Sequence, residues 1–248
     1  MPRERNLIIG ALITLAVAAW ALIAWQGSTS NGDAMGPTMG LSAPVFLGIW
    51  VAMMVAMMFP TAMPMILTFA RVQAGRAAQG RTSVATGTFV AAYLAVWTVC
   101  GALAFGAASG GQALADRSMW LMDNAARIGG GVLVVAGLYQ LSPLKRTCLS
   151  KCRSPMSWIL TSWRDGAGGA VRMGVEHGIY CLGCCWLLFA ILFPLGLMNV
   201  AAMALITVLI FAEKSLPIGR HAGTAAAVGL IAYGALVLVV PAALPTAM

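Results

Sequence analysis

Apolar residues gather along this chain in runs of roughly 20, the length at which a helix crosses the hydrocarbon core of a bilayer. Charged or Gly/Pro-rich breaks separate the runs. The pattern predicts seven spans, at 7–26, 44–70, 84–106, 125–142, 170–193, 196–212 and 222–243. The sixth is short and follows the fifth directly after Phe193-Pro194-Leu195-Gly196, so a count of six holds if those two form one broken or re-entrant unit. The expected fold is all-α, a polytopic helical membrane bundle forming a single domain over residues 1–248. The first run, Leu7 to Trp25, follows Arg3 and Arg5 as a signal peptide would. It is long for that role, and no small-x-small cleavage motif directly follows it, so it reads as a retained helix.

Composition agrees with the pattern. Of 248 residues, 60% are hydrophobic and only 9% charged, against about 25% charged in soluble chains. The longest polar stretch, about 143–169, is too short for a soluble domain, so function falls to the helices and that loop. The basic residues supply an orientation. With the N-terminus inside, the inner segments collect every Lys and Arg except Arg117 and Arg127. That asymmetry predicts a cytoplasmic N-terminus and a C-terminus on the periplasmic or extracellular face. Basic loops beside anionic lipid account for the net charge of +8 without a nucleic-acid partner. Gly129-Gly130-Gly131 and Gly166-Ala167-Gly168-Gly169 lack the strand context and Gly-Lys-Ser/Thr ending of a phosphate loop, so no nucleotide is expected.

The chemistry concentrates in Glu176-His177-Gly178-Ile179-Tyr180-Cys181-Leu182-Gly183-Cys184-Cys185-Trp186. On a helix, His177, Cys181 and Cys184 share a face about 60° wide, with Cys185 at its edge. Imidazole with thiols is a ligand set for soft or borderline metals, and reactive groups inside a bilayer mark function by default. The second span carries a methionine face. Trp50, Met54 and Met57 repeat the same spacing, flanked by Met53 and Met58, and Pro60 and Pro64 should kink the helix. Such a face serves packing or ligation; thioether with thiolate selects Cu(I) over hard cations.

Cys148 and Cys152 lie one helical turn apart in the basic loop Lys145 to Pro155, a spacing that suits metal capture, a redox pair or two free surface thiols. Cys100 reads as core and His221 as exposed. Glu213-Lys214 reads either as a snorkelling surface pair or as a buried carboxylate facing the His/Cys stripe. Glu176 points some 100° away from His177 and either neutralises Arg172 or carries a proton. Trp50, Glu176, Glu213 and Lys214 are thus candidates for a supporting shell around the ligands.

Three segments together resemble a bacterial family of unknown function described as predicted metal-binding integral membrane proteins. They are Trp50/Met54/Met57-Met58/Pro60/Pro64-Met65, the Leu144-Lys145 to Pro155 loop with Cys148 and Cys152, and Gly178 to Trp186 with Cys181 and Cys184-Cys185. Glu213-Lys214 with Pro217 is a fourth shared element. The resemblance covers about 44 to 220 and implies a multi-pass protein of the bacterial inner membrane that binds metal, with no established reaction.

These readings converge on copper handling: transfer, insertion into a partner, or transport. Copper(I) fits the donors best, with zinc and iron as alternatives. Cys148 and Cys152 would capture the ion. His177, Cys181, Cys184 and Cys185 would hold it, opposite Met54, Met57 and Met58. The expected partners are the lipid bilayer and a metal-donor or metal-acceptor protein, with an oligomer left open. A membrane oxidoreductase acting on a lipid-soluble substrate and a thiol–disulfide relay are the enzymatic alternatives.

Overall fold

Serine followed by proline punctuates the helices. Ser42 precedes a helix with Pro44 in its first turn, and Ser142-Pro143 and Ser154-Pro155 open two more. Proline has no N–H to waste at a helix start and its φ is already helical. The Ser142 hydroxyl also accepts the Lys145 backbone N–H at 3.1 Å. The computed structural model describes residues 2–29, 38, 40–81 and 83–245, apart from the side chains of 2 and 29. Its helices are α1 (Pro2–Thr29), α2 (Ala43–Ala78), α3 (Thr86–Ala115), α4 (Met119–Asp123), α5 (Ala125–Gln140), α6 (Pro143–Arg153), α7 (Pro155–Ser162), α8 (Gly166–Ala190), α9 (Leu192–Leu195), α10 (Val200–Ser215) and α11 (Gly219–Val239). There is no strand among the described residues.

Five helical segments are long and apolar enough to cross a membrane: Arg3–Ser28, Ala43–Ala78, Thr86–Ala115, Gly166–Leu195 and Gly219–Val239. A sixth crossing arises if α5 and α6, bent by 62° at Leu141-Ser142, act as one. The structure therefore supports five or six membrane-length helices rather than seven. The expected span 196–212 becomes α10, only 16 residues long, because Gly196 turns the chain with φ at 94° and Asn199 caps the new helix through Ala202 N at 3.0 Å. The break expected between the fifth and sixth spans is real, but the sharply bent pair is α5 and α6. The loop expected over 143–169 is mostly helical, since its two prolines start helices instead of ending them.

Small residues set the packing. Gly174 and Gly178 lay α8 against α3: a Cβ at Gly174 would sit 2.8 Å from the Ala92 side chain, and one at Gly178 2.9 Å from Val96. This four-residue spacing of glycines lets two backbones approach. Gly130 and Gly137 do the same for α5 against Gly234 and Ala227 of α11. Helix α2 meets α8 through long side chains rather than backbone contact. Pro60 leaves the Ala56 carbonyl without its helical donor, and the Trp20 indole of α1 donates to that carbonyl at 3.0 Å. The proline is thereby tolerated inside an unbroken α2, and α1 is tied to the bundle.

The helix ends sort by charge. Gly27 lies beside Val200 and Met198, and Gly129 beside Pro194 and Leu244, so the ends of α1, α9 and α11 meet at one end of the bundle. At the other end Arg76 pairs with Asp165, near Arg164 and Arg172. The Trp163 indole donates to Asp165 at 2.9 Å, and with Arg76 it holds that carboxyl below the usual carboxylate range. Arg76 also lies over the Trp163 ring, 5.1 Å from its centre.

Candidate metal site

Helix α8 carries its reactive residues inward. His177, Cys181, Cys184 and Cys185 are all buried, because the glycines that dock α8 on α3 and α6 fix which face turns to the core. Around Cys181 the structure collects sulfur and charge from other helices. Met58 of α2 brings its Sδ to 3.9 Å from Cys181 Sγ. Tyr93 of α3 places its hydroxyl 3.1 Å from the same sulfur. Lys214 of α10 donates from Nζ to it at 3.1 Å. Cys152 of α6 is half-buried and packs against the same core on the side of α8. Cys184 and Cys185 turn back along their own helix to the Cys181 carbonyl, at 3.0 and 2.8 Å. Thiol and thioether thus meet at Cys181 from α8 and α2, with the lysine of α10 beside them.

The stripe and the loop expected to cooperate do meet here. Cys148, on the same face of α6 as Cys152, packs against Gly183, where a Cβ would lie 2.7 Å from its Sγ. The Tyr139 hydroxyl donates to the Gly183 carbonyl and holds α5 at the same level. Cys148 and Cys152 are half-buried and free, as is Cys100.

The methionine face is fully buried. Met53, Met54, Met57 and Met58 are all sealed from solvent, but Met58 is the one seen touching Cys181. Trp50 serves packing: its indole donates to the Trp97 carbonyl at 2.9 Å and its ring covers Gly101. His177 lies one turn from Cys181 among the rings of Phe89, Tyr93 and Trp158. Its Nδ1 is buried and has no hydrogen-bond partner.

The acidic candidates separate. Glu176 is partly exposed and pairs with Arg172, Nε to Oε1 at 2.9 Å, so it neutralises that arginine. Glu213 and Lys214 are both buried, which removes the surface-pair reading. Glu213 accepts from Lys145 Nζ at 2.7 and 2.8 Å, and Gln140 accepts from the same nitrogen. Arg153 donates to the Leu216 carbonyl at 3.1 Å. Helix α6 is therefore staked at both ends to the α10–α11 turn, with its thiols held on α8 between. Gln140 and Tyr93 were not picked out in the sequence, and Lys145 was noted only as part of the basic loop. A glutamine at the end of an apolar run and a tyrosine within one carry no pattern that would flag them. His221 is exposed, as expected.

Among the described residues no group of three or more His, Cys, Asp or Glu side chains closes into a ready-made metal cage. The donor set is a loose cluster of thiols, a thioether and a counter-cation, suited to a soft ion held by few ligands.

The comparisons with known proteins bear on the cargo. A family model, PpoB2, described as copper chaperone, matches residues 47–237. No curated protein and no solved structure matches the chain.

Proposed function

The chain belongs to the PpoB2 family of copper chaperones, and on that footing we propose that it is a membrane-embedded carrier of Cu(I). The sulfur cluster around Cys181 receives the ion, and a copper-donor or copper-acceptor protein meets it at the bundle. The observation that carries this reading is the buried contact of the Cys181 thiol with the Met58 thioether and the Lys214 ammonium, with Cys184 and Cys185 on the next turn of α8. Copper handling needs soft donors, and this is where the chain concentrates them.

The chemistry follows from the geometry. A buried thiolate needs a counter-charge, and the Lys214 ammonium stands 3.1 Å from Cys181 Sγ. Copper(I) brings one positive charge to that sulfur, and release of one proton from the cluster as the ion enters would leave the buried net charge unchanged. Cys184 and Cys185 reach the ion by rotating about χ1, giving up hydrogen bonds to a carbonyl. Thioether and imidazole add neutral donors: Met58 directly, and His177 through an Nδ1 that has no hydrogen bond to lose. Met54 and Met57 line the same apolar core and shield the ion from water. Cys148 and Cys152 are half-buried, whereas Cys181, Cys184 and Cys185 are buried, so the α6 pair receives copper first. The five or six apolar helices support a place in the membrane, and the basic end of the bundle supports a cytoplasmic N-terminus.

The test is elemental analysis of protein purified under reducing conditions. Wild type should carry copper, and Cys181→Ser and Cys184→Ser should lose it while keeping their helix content. Cys148→Ser should load slowly yet retain copper once loaded. A second reading, a thiol–disulfide relay, rests on the packing of α6, which carries Cys148 and Cys152, against α8 at Gly183, next to Cys184. Copper-free protein that cycles a disulfide between α6 and α8 would overturn the chaperone site in favour of that relay.

A further inference from the structure

At the basic end of the bundle a cleft opens between α1 and α2, well away from the sulfur cluster. Its inner walls are apolar, with Ile8 from one helix and Leu67 and Ala70 from the other. Its mouth carries Glu4, Arg5 and Arg71. Ala74 and Gly75 keep it open: a Cβ added at Gly75 would meet no atom within 4 Å. Among the described residues none of the three mouth charges forms an ion pair, although both signs line the same cleft. Elsewhere at this end opposite charges do close, as Arg172 and Glu176 do at 2.9 Å.

We propose that this cleft binds one phosphatidylethanolamine molecule. The lipid's phosphate lies between Arg5 and Arg71, its primary ammonium donates to Glu4, and an acyl chain runs down between Ile8 and Leu67. Two guanidiniums suit a phosphate's planar sets of acceptor oxygens. A carboxylate beside them is a poor partner for a purely anionic headgroup, but complements a headgroup that carries its own cation. A quaternary choline has no N–H to donate to Glu4, and phosphatidylglycerol has no cation at all. Basic pockets between helices at the cytoplasmic face typically hold cardiolipin or phosphoinositide headgroups, and the Glu4 carboxylate sets this cleft apart from them. The inference rests on the membrane placement proposed above, but on none of the sulfur residues.

The experiment is thermal unfolding of the full chain in detergent, titrated with phosphatidylethanolamine, phosphatidylglycerol, phosphatidylcholine or inorganic phosphate, with copper content read on the same samples. Phosphatidylethanolamine should raise the midpoint at about tenfold lower concentration than the other two lipids, and phosphate should not raise it. Glu4→Gln should erase the preference for the ethanolamine headgroup. Arg5→Gln/Arg71→Gln should abolish the shift for every phospholipid, and Gly75→Leu should abolish it by filling the cleft with no change of charge. Equal response to phosphatidylglycerol, an equal shift with phosphate alone, or an unchanged preference in Glu4→Gln would each overturn the proposal. Such a failure with copper content intact leaves the chaperone reading standing. Protein that stays monodisperse without detergent would instead remove the membrane placement.

Discussion

At the scale of single residues, Met57 and Met58 are neighbours in sequence and equally buried, yet Met58 is the one seen with its sulfur against Cys181. Replacing Met58 with Leu keeps the volume and removes the thioether. It should weaken Cu(I) binding about tenfold, or about 1.4 kcal/mol, in competition with a chromogenic Cu(I) chelator. Met54→Leu should shift the same titration by less than about twofold, as expected for a volume-conserving core swap. The buried Lys145–Glu213 pair gives a stability prediction. Glu213→Gln leaves an ammonium buried without its carboxylate, a loss of about 3–5 kcal/mol, read as a lowered unfolding midpoint. Removing both charges with Lys145→Met/Glu213→Leu should recover most of it. If the double variant melts as low as the single, the pair is not acting as a charge couple.

At the scale of elements, α6 decides whether the cluster is complete. Only this short helix brings Cys152 to α8, and it rests on Gly183. Gly183→Ala puts a methyl group 2.7 Å from Cys148 Sγ, so the Cys148 thiol must swing away or α6 must lift. Copper loading should slow several-fold while the helix content stays constant; unchanged loading would show that α6 docks without needing that contact. The junction of α7 and α8 is pH-sensitive. The Trp163 indole and then Arg76 hold the Asp165 carboxyl below its usual range. A carboxylate with a depressed folded value contributes stability above its unfolded value of about 3.9, and that contribution is lost as pH falls through the folded value. Trp163 emission, taken as the difference from Trp163→Phe, should therefore move to the red below about pH 3.9, and Asp165→Asn should show the red-shifted state at neutral pH.

At the scale of the whole molecule, the direction of each helix bears on topology. The ends of α1, α9 and α11 gather at one end of the bundle, so α10 and α11 form a hairpin that descends and returns, even though α10 is too short to count as a membrane-length helix. Reporter fusions should place the two termini on opposite faces. Both termini on one face would mean that the α10–α11 hairpin does not return across the bilayer.

Helical class, the places of the five long apolar helices and the reactive stripe were legible along the chain because each depends on local periodicity. Runs of apolar residues fix where helices can exist, and 100° per residue fixes that His177, Cys181 and Cys184 share a face, whatever packs on it. From the sequence Cys148 and Cys152 read as a solvent-accessible capture pair, and the packing of α6 on α8 at Gly183 is a product of the fold. Which partners arrive there depends on contacts between residues far apart in sequence. Glu213 turned out to answer Lys145 across 68 positions, and Lys214 to reach Cys181 across 33, because helix azimuth and depth are set by where glycines let backbones approach. Met58 rather than its neighbours meets Cys181 for the same reason: spacing names a face, and the rotation of α2 within the bundle selects one side chain from it. The bend between α5 and α6 belongs here too. Its Ser-Pro step marks a helix start, but the 62° angle is a tertiary feature, found together with the contacts of Lys145 to Glu213 of α10 and of Arg153 to Leu216.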